Sequence, residues 1–189
     1  MLPVDIRIET ERLLLQPTAA ASDAALAEVL AAVVPDLQQL CRDRWTLLSS
    51  AAARLAGAAV TVADLDVLTS VRDAQELIAL WADRRDAAHV PADGDRFRSH
   101  FARFRFPGLP VELMGGLEVF GADGWQPLHI RVTAHVELAG LRVPVPTIAE
   151  QLRVLACFAR PKDHQRAAVL RVLYAQVQSG HTPMLQRFV

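Results

Sequence analysis

Two aspartates stand one residue apart within a run of small and apolar residues, Val62-Ala63-Asp64-Leu65-Asp66-Val67-Leu68-Thr69. Side chains of a β-strand alternate between its two faces, so a strand here points both aspartates to one face and the leucine and valine that follow them to the other. Two carboxylates about 4 Å apart repel each other by roughly 4 kcal/mol at an effective dielectric constant near 20. A divalent cation removes this repulsion and prefers oxygen ligands. The stretch therefore predicts a metal site on one face of a strand.

The composition places the chain among ordinary globular proteins. Of its 189 residues, 52% are hydrophobic and 22% are charged, which excludes an intrinsically disordered chain. A chain of this length buries about 70% of its unfolded surface and suits one domain, with or without a helical appendage. The net charge of −1 gives no overall attraction to nucleic acid or anionic lipid, so we expect no stable DNA binding.

The cysteines and the hydropathy pattern predict where the protein works. Cys41 and Cys157 are the only cysteines, and because they lack metal-ligand spacing we interpret them as free thiols in a reducing compartment. The first residues carry charge early and lack the apolar run of a secretion signal. No stretch reaches the ~20 apolar residues of a membrane span without a charge. We expect a cytoplasmic protein without a membrane partner.

The predicted elements indicate an α+β chain in three parts. Residues 1–44 are predicted as an N-terminal segment packed on the core, with a strand over 4–15 and two helices. Ser22 caps the first of these helices, and Pro35 opens the second. Residues 45–178 are predicted as the main domain, and 179–189 as an irregular tail.

The main domain opens with a strand and a turn of small residues. Trp45 to Leu48 is predicted as a short buried strand, Ser49-Ser50 as a tight turn, and Ala51 to Leu55 as a helical turn. Small residues at a strand-to-helix junction let the backbone approach a phosphate, whose charge the helix N-terminus favours. The alternative interpretation is that one of the serines only caps the helix.

Two later segments show clear periodicity. An amphipathic helix is predicted from Val71 to Arg85, with Trp81 in the core. In Arg103-Phe104-Arg105-Phe106 the arginines share one face of a strand, either as solvated residues or as a basic surface for phosphates.

The small-residue turn, the thirteen residues from Ala51 to Ala63 and the Asp-Leu-Asp strand resemble the signature of the nucleotidyltransferase superfamily related to DNA polymerase beta. Four later motifs are similar to ordered landmarks of small bacterial nucleotidyltransferases, including the aminoglycoside adenylyltransferase-like group. They are Phe97-Arg98-Ser99-His100-Phe101, Val111-Glu112-Leu113-Met114-Gly115-Gly116, Leu141-Arg142-Val143-Pro144-Val145-Pro146 and Arg160-Pro161-Lys162-Asp163. The resemblance covers about residues 45–173 and implies a mixed β-sheet with helices packed on it.

This resemblance implies roles for specific residues. Asp64, Asp66 and Glu112 are expected to be catalytic and to bind Mg²⁺ or Mn²⁺, with Glu112 as a third carboxylate from a neighbouring strand. Further residues are expected to bind the nucleotide, namely Ser49, Ser50, Lys162 and Arg98. Lys162 is alternatively an exposed residue of a helical first turn. Where the family usually has Gly followed by Ser, this chain has Ser49, whose β-carbon resists positive φ.

The implied activity is metal-dependent transfer of a nucleoside monophosphate from a nucleoside triphosphate, such as ATP, to a hydroxyl of a small molecule or RNA. Pyrophosphate is released. One alternative is a binding or regulatory module with the same fold and no catalysis, such as half of a toxin-antitoxin pair. A remote alternative is acetyl transfer, because residues 8–15 resemble the first strand of GNAT acetyltransferases and residues 54–59 fit their pyrophosphate loop. That loop joins a strand to a long helix, whereas here it leads directly into the Asp64 strand.

Overall fold

A mixed five-stranded sheet carries the aspartates. The computed structural model describes residues 19–91 and 93–180, so the predicted strand over 4–15 and the tail from residue 181 lie outside the described residues. The strands are β1 (Thr46–Leu47), β2 (Leu65–Thr69), β3 (Phe97–Phe104), β4 (Val111–Gly121) and β5 (Gly124–Pro127). Their order is β1-β2-β4-β3, and β5 pairs with β4. β2 and β4 are parallel, whereas the other pairs are antiparallel.

Helices and one separate hairpin complete the described chain. The helices are α1 (Ala19–Leu40), α2 (Ser49–Leu55), α3 (Val71–Leu80), α4 (Ile148–Phe158) and α5 (Pro161–Gln178), with a 3-10 turn at Ala82–Arg84. The hairpin consists of β6 (Thr133–Leu138) and β7 (Leu141–Pro146). This arrangement confirms the predicted α+β class. Within residues 19–91 and 93–180, no helix combines the length with the apolarity that a membrane span requires.

The two faces of β2 meet different parts of the core. Leu65 and Val67 are fully buried in the large cluster that also contains residues of α1 and α3. Leu68 faces the other side of the sheet and packs in a second cluster with Val154 and Phe158 of α4. Because strand side chains alternate, Asp66 lies on the α4 side. The sheet is therefore covered by helices on both faces, and the aspartates lie at the beginning of β2.

Helix α1 corrects one prediction about the N-terminal segment. Pro35 does not open a second helix, because α1 continues through it from Ala19 to Leu40. A proline inside a helix removes one hydrogen bond and costs about 3 kcal/mol. Val33, Val34 and Leu37 are all fully buried around it, and burying each such side chain is worth about 1.5–3 kcal/mol. The apolar stripe thus outweighs the local break.

Element boundaries differ from the prediction at three places. Asp64 precedes the first residue of β2, so only Asp66 lies within the strand. α2 begins at Ser49 and not at Ala51. α3 ends at Leu80 and not at Arg85. Trp81, the next residue, lies in the core as predicted, because it is 2% exposed and its indole nitrogen donates a hydrogen bond to Asp36 at 2.8 Å.

Candidate active site

The parallel pairing of β2 with β4 brings the predicted carboxylates together. Asp66 lies directly opposite Glu112 in the register of the two strands. Adjacent strands lie ~4.8 Å apart, and residues paired in this way point to the same face of the sheet. Asp64 comes two residues before Asp66, just ahead of β2, and lies close enough for its charge to act on Asp66. We call Asp64, Asp66 and Glu112 the acidic cluster.

Arg103 of β3 is the cation in direct contact with the acidic cluster. It lies opposite Glu112 in the antiparallel register of β3 with β4. Its Nη1 atom donates a hydrogen bond to Glu112 Oε1 and lies 4.0 Å from Asp64 Oδ2. His89 Nε2 lies 3.4 Å from the same Glu112 oxygen. The interpretation of these arginines as solvated is therefore wrong for Arg103, whose side chain is 21% exposed. The same interpretation is correct for Arg105, whose side chain is 74% exposed.

Asp66 lies where its surroundings disfavour the ionised carboxylate. Its pKa is raised to about 7, first by burial and then by repulsion from Asp64 and Glu112. A hydrogen bond from Ser49 and the positive charge of Arg166 oppose this rise. Burial and the two neighbouring carboxylates both disfavour the ionised form of Asp66, and a cation beside it would favour that form.

The Ser49-Ser50 turn lies directly beside this site. Leu48 donates its backbone N–H to the Asp66 carbonyl at 2.9 Å, which fixes the turn against β2. Ser49 has a φ of 55°, in the left-handed region where a glycine meets no steric penalty. The Ser50 side chain is 5% exposed, so Ser49 is the serine whose hydroxyl contacts the acidic cluster.

Arg166 of α5 is a site residue that the sequence analysis missed. Its positive charge acts on both Asp66 and Asp64. Its Nη1 atom lies 3.7 Å from Asp163 Oδ1 and is the one buried side-chain nitrogen or oxygen without a hydrogen-bond partner within residues 19–91 and 93–180. Burial lowers the pKa of this guanidinium, against attraction from Asp163 and Asp66. The available signal was its position four residues after Lys162, on the same side of a helix.

Two predicted nucleotide-binding residues lie elsewhere or make no contact with the cluster. Arg98 forms a bidentate pair with Glu118, at 2.5 and 3.0 Å, and stacks on Trp125. Glu118 follows Glu112 by six residues along β4, a distance of about 20 Å at the usual rise of a strand. The structure thus does not bring Arg98 to the acidic cluster. Lys162 is exposed in the first turn of α5, as in the simpler interpretation of that residue.

The acidic cluster fits a divalent metal by its chemistry but not by its present arrangement. Three carboxylates on neighbouring backbone positions are the oxygen donors that Mg²⁺ and Mn²⁺ prefer. Among the residues that the structure describes, however, no three Asp, Glu, His or Cys side chains are arranged to hold one ion. One oxygen of Glu112 instead contacts both Arg103 and His89.

Solved structures share this architecture. The candidate nucleotidyltransferase TM1012 from Thermotoga maritima aligns with a TM-score of 0.58 and 22% identity, over 91% of this chain and 96% of that one. An antigenic nucleotidyltransferase-like protein from Paracoccidioides brasiliensis aligns with a TM-score of 0.51 and 15% identity, over 80% and 78%. The lincosamide antibiotic adenylyltransferase LnuA, with lincomycin bound, aligns with a TM-score of 0.50 and 11% identity, over 75% and 94%.

No family model and no curated protein matches the sequence of this chain. At such low identities the likeness concerns the fold. It confirms the architecture that the motifs around Asp64 and Glu112 implied. The chain has the nucleotidyltransferase fold.

Proposed function

We propose that this protein transfers a nucleoside monophosphate from a nucleoside triphosphate to a hydroxyl-bearing acceptor and releases pyrophosphate. The observation that carries the proposal is the register of β2 with β4, which sets Asp66 beside Glu112, while Asp64 lies just ahead of β2 and acts on Asp66 by its charge. The raised pKa of Asp66 supports it, because perturbed carboxylates concentrate at functional sites. The adenylyltransferase LnuA shares the fold, which favours ATP as the nucleotide and a small molecule as the acceptor to test before RNA.

The acidic cluster is the proposed site for Mg²⁺ or Mn²⁺. Asp64, Asp66 and Glu112 would hold the ion, which supplies positive charge against the negative charge that develops on the phosphate oxygens. The ionised form of Asp66 is the one that serves as a ligand.

Residues of this chain then position the reactants. In the transfer step, the acceptor oxygen bonds to the α-phosphorus while the bond from that phosphorus to the pyrophosphate oxygen breaks. We assign the proton of the acceptor hydroxyl to Glu112, because His89, 3.4 Å from that carboxylate and 26% exposed, connects it to solvent. The unpartnered Nη1 of Arg166 is the donor that we assign to a phosphate oxygen.

Ser49 and Lys162 have supporting places in this proposal. The Ser49 hydroxyl orients Asp66 through its hydrogen bond, and the small turn leaves the backbone close to the cluster. Lys162 lies in the first turn of the helix that carries Arg166 and adds positive charge on its exposed side.

A labelling assay tests the proposed activity. Purified protein is incubated with Mg²⁺, a cell extract and each α-labelled nucleoside triphosphate, and label uptake is measured together with pyrophosphate release. Wild type is expected to label an acceptor, and the double variant Asp64→Asn, Asp66→Asn is expected not to. Equal labelling by the double variant would rule out the acidic cluster as the site of transfer.

A second candidate function is a nucleotide-binding module without catalysis. The ion pair between Arg103 and Glu112 favours it, because a permanent internal cation would replace the metal that transfer requires. Thermal shift with Mg²⁺ and each nucleotide separates the two functions, since only ligands that bind the folded state raise the melting temperature. Stabilisation by a nucleotide without any pyrophosphate release favours the module.

A further inference from the structure

We infer that Arg103 is an internal cation that competes with divalent metal for the acidic cluster and so sets the metal concentration at which the site fills. The inference rests on the proposed function, because it concerns the same cluster. It goes beyond that function by assigning a regulatory role to a residue outside the predicted metal ligands.

Arg103 places its positive charge beside two carboxylates of the acidic cluster. Its Nη1 atom bonds to Glu112 Oε1 and lies 4.0 Å from Asp64 Oδ2, so one guanidinium nitrogen contacts a carboxylate of β4 and another that lies just before β2. A metal that took Glu112 as a ligand through this oxygen would replace the hydrogen bond from Arg103. The guanidinium and a metal therefore compete for this oxygen of Glu112.

The sheet itself holds Arg103 in this place. Arg103 pairs with Glu112 across β3 and β4, and Phe104, the next residue of β3, is fully buried opposite Val111. The burial of Phe104 fixes which face Arg103 occupies, because neighbouring strand residues alternate. The contact is thus a consequence of backbone pairing and not of a flexible surface side chain.

The contact is also open to exchange with ions from solution. The side chains of Arg103, Glu112 and Asp64 are 21%, 18% and 30% exposed, so water reaches all three. A partly exposed ion pair is weak enough for a bound divalent ion to displace it. Arg103 thus has a fixed position and a weak ion pair. Such a residue raises the metal concentration at which the acidic cluster fills but does not prevent a metal from binding.

Arg105 provides a matched control on the same segment. It lies two residues after Arg103, forms its own ion pair with Asp86 at 2.7 Å, and is 74% exposed. Replacing either arginine by glutamine changes the net charge of the protein equally. A difference between the two variants therefore reports on contact with the acidic cluster and not on overall charge.

The test is Mn²⁺ binding by isothermal titration calorimetry of the full chain as wild type, Arg103→Gln and Arg105→Gln. We expect Arg103→Gln to lower the Kd for Mn²⁺ by about tenfold, and Arg105→Gln to change it by less than about twofold. Binding that is seen in Arg103→Gln and not in wild type supports the same inference. Unchanged or weaker binding in Arg103→Gln, or no binding in either protein, overturns it.

Two further measurements keep the test decisive. If Arg103→Gln does not fold, as judged by circular dichroism, Arg103→Lys replaces it. Lysine keeps the charge but lacks the planar fork, so the variant is expected to lower the Kd by a smaller factor, and an unchanged Kd counts against the inference. The labelling assay on wild type reports separately on transfer. If wild type transfers the label but wild type and Arg103→Gln bind Mn²⁺ with equal affinity, only the inference about Arg103 is wrong. If Arg103→Gln binds Mn²⁺ more tightly but wild type transfers no label, only the proposed activity is wrong.

Discussion

The hydroxyl of Ser49 donates a hydrogen bond to Asp66 from a backbone held at a φ of 55°. A residue with a β-carbon pays about 1–2 kcal/mol for this left-handed conformation, whereas glycine does not. The site therefore keeps a strained serine next to a carboxyl whose pKa is raised. The strain and the hydrogen bond can be separated by mutation, because alanine and glycine both lack the hydroxyl and differ only in the β-carbon.

We predict that Ser49→Gly is more stable than Ser49→Ala by about 1 kcal/mol. Both variants lose the hydrogen bond to Asp66, so their difference isolates the backbone strain. The measurement is the free energy of unfolding in urea, at one pH and without metal. A Ser49→Ala variant as stable as Ser49→Gly would show that position 49 does not hold a left-handed backbone.

The raised pKa of Asp66 predicts how stability without metal varies with pH. An unfolded aspartate ionises near pH 4, whereas folded Asp66 keeps its proton up to about pH 7. Between these values the folded state binds more protons, so the free energy of unfolding contributed by Asp66 falls as the pH rises and is constant above that range. Relative to Asp66→Asn, wild type should lose a few kcal/mol across this window, at ~1.4 kcal/mol per pKa unit.

This dependence is measured by urea denaturation of wild type and Asp66→Asn in EDTA at intervals between about pH 4 and pH 8. Mg²⁺ at high concentration should flatten the difference, because a bound cation favours the ionised carboxylate. Parallel stability curves for the two proteins would contradict the burial and repulsion that we assign to Asp66.

The carboxylates of β4 offer a matched pair for testing catalysis. Glu112 and Glu118 both pair with an arginine of β3, yet they lie about 20 Å apart along one strand. We predict that Glu112→Gln lowers kcat for nucleotidyl transfer by about 100-fold or more, as expected for loss of a residue that acts on the reacting groups. Glu118→Gln should stay within about twofold. Equal losses in the two variants would indicate a general effect on the sheet and not a role for Glu112.

The Nη1 atom of Arg166, which is buried without a hydrogen-bond partner, predicts that this residue contributes to the affinity for nucleotide. We expect Arg166→Gln to weaken binding of a non-hydrolysable nucleoside triphosphate by about tenfold, because one charge-assisted hydrogen bond to phosphate is lost. Arg171→Gln removes an exposed arginine from the same helix and serves as the control. Binding is measured by titration calorimetry, and an affinity in Arg166→Gln equal to that of Arg171→Gln would remove Arg166 from the phosphate site.

Asp66 and Glu112 stand between apolar residues of a strand, and that alternation singles both out as candidate site residues in the sequence, whereas Asp64 lies just before β2. That pattern fixes a face and, with the motif order, indicates which strands are neighbours. It does not give the register between strands. Arg98 and Arg103 belong to the same strand, and only the pairing with β4 decides that Arg103 meets Glu112 while Arg98 meets Glu118.

The remaining errors come from tertiary packing that no local pattern contains. Pro35 is a strong helix-opening signal, but the buried stripe of α1 continues past it. The spacing of Arg166 from Lys162 does not show which way either side chain faces, since α5 has apolar residues on several sides and its orientation depends on contacts with α4. Each of these outcomes depends on residues distant in sequence.

The alternation of Val111, Glu112 and Leu113 links the integrity of the core to the alignment of the site. Val111 and Leu113 are fully buried, and a shift of β4 by one residue would expose both and force Glu112 into the apolar interior. Such a misaligned chain is far less stable than the correct one. The packing of ordinary hydrophobic residues therefore also keeps the carboxylates aligned. A molecule in which β4 has the wrong register does not persist as a folded protein.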